Sequence, residues 1–504
     1  MTDDTGELDG LDAAQLDGLG DMDPARFRAA AHAVVDAMAD YLAGVESRAV
    51  LPSIEPGSIR PQLPVAAPED PAPLAAILAD VDRLVLPTAT HWQHPGFLAY
   101  FATTASAPGI LGEMWTAVLG QNPMLWRTSP IGTELEQVVV GWLREALGLP
   151  ASFDGLLTDT ASTSTLIALA AAREAAGLRA AADGLAARAG GGLPAVYAST
   201  EAHSSVEKAC MTLGLGRAAL RRIPADGDYA MRVELLANAI AEDRATGVVP
   251  AAIVATIGTT SSTSVDPVGA IADVAAREGT WLHVDAAYAG AVALVPARRG
   301  PFAGWERADS IVVNPHKWLF TPLDASLLLS RRLDVVREAF SLVPEYLRTL
   351  DQARPVHDFT EYQPQLGRRM RALKLWMQLR YFGLAGMRRR IDAHCRLAAE
   401  LAAAVDAEPD FERLAPAPFS TVCLRWRPAN LTGREDEPEV RARLDAANER
   451  LMGAVNATGE VFLSHTRLRD RFTIRVAIGN LRTEARHVER AWELLRREAR
   501  SLEA

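Results

Sequence analysis

The chain has 504 residues, of which 49% are hydrophobic, so it can bury a sizeable core and is long enough for two or three lobes. Its 52 Lys and Arg against 63 Asp and Glu leave a net charge of −11, which argues against a polyanion such as nucleic acid as the main partner. No run of eighteen or more apolar residues predicts a membrane span. Cys210, Cys395 and Cys423 lack metal spacing and are odd in number, which fits a reducing cytoplasm.

In chain order, the acidic, Gly-rich start MTDDTGELDGLDAAQLDG lacks a secretion signal, and roughly the first twenty residues read as a mobile tail. FRAAAHAVVDAMADYLAGV reads as a helix, and LPSIEPGSIRPQLPVAAPEDPAP as an extended surface run, because proline breaks both helix and sheet interior. A second helix, LAAILADVDRLVL, leads to HWQHPGFLAYF. From about 130 to 330, short apolar runs alternate with amphipathic helices. PAAIVATIG, TWLHVDA and DSIVVNP read as buried strands, and IADVAAREG as a helix closed by Gly279. This alternation predicts a mostly parallel sheet with helices on its faces, and ligands bind such sheets beyond the carboxyl ends of the strands. After about 375 come a long helix, then FSTVCLRWRP, GEVFLSHTRL and DRFTIRVAIG as strands of a smaller α+β lobe, and a last helix.

Two residues stand where that crevice should lie. Lys317 follows the strand SIVV, and Asp285 ends WLHVD ahead of small residues. An ammonium at a buried strand end is costly unless it is paired, exposed or not an ammonium. An amine nucleophile and an ionised carboxylate facing one object suit an aldehyde cofactor with a pyridine ring, pyridoxal 5'-phosphate (PLP). TDTASTSTLIALAAAREAAG offers its phosphate the amino end of a helix. No GxxxxGK[ST] loop is present, so a nucleoside triphosphate is not indicated.

NPHKW, HVDAAYAG, AHSSVEKA and TASTSTLIALAAAR, with HWQHPGFLAYF, TSPIGTELE, VPEYL, LGRRMRALKLW and LRDRFTIRVAIG in the same order, resemble the group II PLP-dependent decarboxylases, particularly the aromatic L-amino acid decarboxylases. The resemblance implies an aspartate-aminotransferase-like (fold type I) α/β enzyme working as a homodimer. Its helical N-terminal arm would span 1–106, its large PLP-binding domain 107–375 and its small C-terminal domain 376–504. Carried over residue by residue, Lys317 matches the lysine that holds PLP as an imine, Asp285 the partner of the ring nitrogen and His203 the histidine stacked on the ring. Ala161, Ser162 and Asn314 match the phosphate side, Thr260 the ring edge and His316 a histidine near the imine. Tyr346 matches the mobile-loop tyrosine that returns a proton to Cα. In relatives that release aldehydes, this tyrosine is typically phenylalanine or the stacking histidine is changed, so Tyr346 and His203 together point to simple decarboxylation. Trp92, Tyr100, Phe101, Thr103 and Gly367 match substrate-side positions, and the aromatic ones favour an aromatic side chain. Met124 and Ala102 depart from the animal enzymes. Two other readings remain: an aldehyde synthase on the same fold, and a catalytically silent scaffold.

Overall fold

The computed structural model describes residues 8–185, 192–342 and 356–503. Its centre is a seven-stranded sheet built from β1 (Asp154–Thr158), β2 (Pro194–Ser199), β3 (Leu220–Ile223), β4 (Val249–Thr256), β5 (Trp281–Asp285), β6 (Ser310–Val313) and β7 (Ser326–Ser330). The order is β1-β7-β6-β5-β4-β2-β3, and β7 runs antiparallel to both of its neighbours while the other pairs are parallel. β2, β5, β6 and β7 are buried along their whole length, which is why they read as unbroken apolar runs rather than alternating ones. The helix Val268–Glu278 crosses from β4 to β5. Gly279 ends it at φ +60°, a left-handed conformation that costs glycine nothing and returns the chain to the sheet within two residues.

Thirty-six residues, Ala372–Ala407, then form one long helix that kinks at Gly383. Beyond it, β8 (Phe411–Arg413), β9 (Thr421–Trp426), β10 (Ser464–Leu468) and β11 (Arg471–Ala477) make an antiparallel sheet in the order β10-β11-β9-β8. Three of these match the strands read from sequence, and β8 is a short addition. The helix Ala485–Glu503 covers this sheet through Val488, Ala491, Leu494 and Leu495.

At the other end, the helix Pro24–Gly44 starts on an Asp23 cap with proline in its first turn, and Ala30 is its only buried residue. The expected tail is partly ordered. Ala13–Asp17 is a helix with a reciprocal Asp12/Gln15 capping box, and Gln15 Nε2 donates to Ala72 O at 2.9 Å. The correction follows from the DAAQ spacing, which supplies the cap that an acidic tail would lack. No helix among the described residues is long and apolar enough to cross a membrane.

Candidate active site

β5 and β6 lie side by side, so their carboxyl ends deliver Asp285 and Lys317 to one place. Asp285 is 6% exposed, and its Oδ1 accepts the Ala287 N–H at 3.0 Å. The Asn314 N–H donates to Ala287 O (3.0 Å) and the Lys317 N–H to Asn314 O (3.0 Å), winding Pro315–Trp318 into a single turn. Lys317 thus sits between buried His316 and fully buried Trp318, held by the loop that follows Asp285. Burial pushes the Lys317 ammonium below its ordinary pKa, and the nearby Asp285 charge opposes that shift.

His203 arrives from the loop after β2. Its Nδ1 accepts the Ser205 N–H at 3.1 Å and lies 2.9 Å from Ser205 Oγ, an arrangement that leaves the proton on Nε2. The residue is exposed at the cleft. Enough protein surrounds the ring that desolvation lowers its pKa, while Asp285 raises it and Lys317 lowers it further. His203, Asp285 and Lys317 therefore feel one another's charge, as strand-end neighbours must. His316 is committed elsewhere: its Nδ1 accepts the Ala325 N–H at 3.1 Å, and burial lowers its pKa to about 4.

At the same end of the sheet β1 runs into the helix Ala161–Ala175. Thr160 makes no side-chain cap bond, and the first N–H returned to the helix is that of Ser164, to Thr160 O at 3.0 Å. The N–H groups of Ala161, Ser162 and Thr163 are consequently free for an anion, with the helix dipole behind them. Asn314 Oδ1 is buried without a hydrogen-bond partner. Thr260 lies exposed on the loop after β4, whose turn needs Gly258: at φ +89° a Cβ there would come within 2.6 Å of the Ala289 Cβ. A desolvated amine, a buried carboxylate and an uncapped helix start with free N–H groups are what a phosphorylated pyridine aldehyde requires, so the residues present fit PLP.

The aromatic residues divide into two sets. Phe101 stacks on Tyr288 (3.7 Å between centroids, 14°), and Tyr288 on Trp318 (4.7 Å, 8°). The Lys317 Nζ lies 5.4 Å from the Phe101 ring. Trp92 stacks instead on Phe97 at 4.3 Å, and Tyr100 packs edge-on against Phe462 at 5.9 Å. Trp92 and Tyr100 are 36% and 54% exposed and are not brought to Lys317 within this chain. Thr103 is half-buried, two residues beyond Phe101. Gly367 is exposed, and an added Cβ would meet nothing nearer than Asn122 Nδ2 at 3.9 Å, so an alanine fits there. Tyr346 lies outside the described residues.

Sequence reasoning missed Tyr288 and Arg475. Arg475 is 4% exposed, its guanidinium is 5.2 Å from the Phe101 ring, and its Nε donates to Ser261 O at 2.8 Å on the Thr260 loop. Its Nη2 is buried and unpartnered. The signal was available: an arginine in the apolar strand FTIRVAIG is a buried charge in need of a reason.

The pyridoxal-dependent decarboxylase conserved domain matches residues 56–427. The chain is 39% identical to phenylacetaldehyde synthase of Arabidopsis thaliana, covering 95% of this chain and 96% of that protein. It is 38% identical to aromatic-L-amino-acid decarboxylase of Sus scrofa, over 94% and 96% respectively. The crystal structure of Oryza sativa TDC with PLP and tryptamine superposes with a TM-score of 0.91 at 36% identity, covering 96% of this chain and 99% of that one. Matched over most of its length in sequence and fold, this chain belongs to the pyridoxal-dependent decarboxylase family, and it is a PLP-dependent carboxy-lyase.

Proposed function

We propose that the chain removes carbon dioxide from an aromatic L-amino acid and releases the amine, acting as a cytoplasmic homodimer. The observation that carries this reading is the partly buried Lys317 amine, 5.4 Å from the Phe101 ring and sensing the charge of Asp285. PLP, when bound, supplies an aldehyde carbon that condenses with amines and a pyridinium ring that accepts the electron pair left as carbon dioxide departs.

The chain's own residues do the rest. Desolvation keeps a larger fraction of Lys317 as the free amine, the form that attacks and that takes up a proton. Asp285 would hold a proton on the ring nitrogen by its charge, and the N–H groups of Ala161 and Ser162, with the Asn314 side-chain amide N–H, would hold the phosphate. His203, with its Nε2–H available, would lie against the cofactor ring and Thr260 at its edge, and His316 supports the turn that carries Lys317. The stack of Phe101, Tyr288 and Trp318 is a rigid apolar wall that excludes water, and Thr103 and Gly367 border the side-chain space. Arg475, with Nη2 free, offers a donor for the substrate carboxylate. Tyr346 returns the proton to Cα, and its presence with His203 favours amine over aldehyde.

Dimerisation is supported by apolar surface that the single chain leaves uncovered. On the helix Ala107–Leu119, Leu111, Met114, Trp115, Val118 and Leu119 are all exposed, and the helix Pro24–Gly44 buries only Ala30. Trp92 and Tyr100, turned away from Lys317 in their own chain, would then face the partner's cleft. The three free cysteines, all buried, suit a reducing compartment. The chain divides into an N-terminal tail and helical arm of residues 1–106, a large domain of 107–375 and a small domain of 376–504.

The second reading, an aldehyde synthase, is favoured by the Arabidopsis relative. Purified protein with PLP and a panel of L-amino acids separates the two: one amine per carbon dioxide supports decarboxylation, whereas aldehyde, ammonia and peroxide in step with carbon dioxide support the alternative. Turnover of glutamate or cysteine sulfinate in preference to aromatic acids would refute the substrate class.

A further inference from the structure

One ion pair, remote from Lys317 in sequence and absent from the roles above, joins the strand that leads to Ala161 to the segment that carries Gly367. Glu136, on the helix Pro130–Ala146, and Arg368 form a bidentate bridge: Nη2 to Oε1 at 2.7 Å and Nη1 to Oε2 at 3.0 Å. Their side chains are 0% and 1% exposed. Two buried charges need further hydrogen bonds to hold their place, and both find them on one residue. Glu136 Oε1 accepts the Leu157 N–H at 2.8 Å, and Arg368 Nη2 donates to Leu157 O at 2.8 Å.

Leu157 lies in β1, an edge strand of the large sheet, which among the described strands pairs with β7 alone. The ion pair thus occupies the open side of that strand and satisfies its N–H and C=O as a neighbouring strand would. Four residues further on the chain reaches Ala161, where the helix N–H groups are free. On its other side, the Arg368 backbone N–H donates to Asn122 Oδ1 at 2.9 Å, its Nη1 reaches Pro123 O at 3.4 Å, and its guanidinium lies 4.1 Å from the Phe359 ring. These contacts fix Gly367 against the segment that contains Met124.

We infer that Glu136 and Arg368 are positioning residues that lock the strand leading to the phosphate-binding helix start to the loop at 122–124 and to Gly367, a substrate-side position, so that phosphate affinity and side-chain fit are set together. The inference rests on the reading of Ala161 and Ser162 as the phosphate end.

The test compares PLP with pyridoxal, which lacks the phosphate. Parent, Arg368→Lys and Glu136→Gln are stripped of cofactor and titrated with each ligand, following tryptophan fluorescence and the imine absorbance. Loss of one charge-assisted hydrogen bond at the strand should weaken PLP by about 10-fold or more and leave pyridoxal within about 2-fold. In the reconstituted variants KM for the aromatic substrate should rise by a larger factor than kcat falls. Equal weakening of PLP and pyridoxal would overturn the inference, because a merely structural pair would act on both. A parental PLP preference in folded Arg368→Lys, which keeps the charge but gives up the second nitrogen, would overturn it too, as would failure of that variant to fold. A parent showing no preference for PLP over pyridoxal would instead sink the phosphate assignment itself.

Discussion

Asp285→Asn removes one charge and almost nothing else. The amide keeps the volume of the carboxyl and an oxygen for the Ala287 N–H, at a position 6% exposed. The charge it removes is felt, since Asp285 raises both Lys317 and His203 against their desolvation. Without it both groups drop further, so the free-amine fraction of Lys317 grows and cannot account for any loss of rate. What is lost is the hold on a proton at the ring nitrogen. A unit pair about 4 Å apart at an effective dielectric of about 20 is worth about 4 kcal/mol, and a hydrogen bond to a charged group about 1.5–3 kcal/mol. Taking about 2–4 kcal/mol, kcat/KM should fall by about 30- to 1000-fold. The assay is carbon dioxide release at saturating PLP, with the cofactor absorbance band followed against pH in parallel. A variant within about threefold of the parent, below one pKa unit of interaction, would refute the assignment of Asp285.

Lys317→Ala should leave no imine band and no turnover above the rate of PLP free in solution, measured by absorbance and amine release. Tyr346→Phe should divert turnover from amine towards aldehyde, with oxygen consumed and ammonia and peroxide released; continued production of amine alone would end its assignment as proton donor. Stability should fall with acid between pH 6.5 and 4, because burial lowers His283, His316 and His394 to about 4 while the unfolded chain binds their protons near 6.5. Asp266, raised to about 7 by burial, opposes this by releasing a proton on unfolding, and these four groups together leave a loss of about 3 kcal/mol at pH 5 relative to pH 7.5. Chemical denaturation at the two pH values checks it; equal stability would refute it.

The parallel sheet was legible because its strands are buried on both faces, so VATIG, WLHVD and SIVV stand out as uninterrupted runs. β7 was harder to place, since its antiparallel direction between β6 and β1 leaves no mark in SLLLS. The site was legible at strand ends, where one residue's position fixes its direction: Asp285 and Lys317 were found together for that reason. Where direction depends on backbone conformation, it was not. HWQHPGFLAYF gives no hint that Tyr100 adopts φ +50°, which sends Tyr100 outward and Phe101 inward. Glu136 and Arg368 were unreadable for another reason. Their partner is a backbone edge, and no spacing in sequence encodes which strand is left open.

The frame by itself does not choose between amine and aldehyde. An aldehyde synthase at 39% identity and a decarboxylase at 38% cover nearly the same span of this chain, so both outcomes are compatible with one sheet. Removing carbon dioxide needs an electron-accepting ring held protonated and a desolvated cleft, and strand ends with buried neighbours supply both whatever follows. The later step is a competition for one carbon, in which a proton donor must reach Cα before oxygen does. That contest turns on a hydroxyl and its position, a difference of one atom between tyrosine and phenylalanine, which no count of shared residues can weigh. If Tyr346 is the donor, the product of this chain depends on its hydroxyl, and Tyr346→Phe is the substitution that decides it.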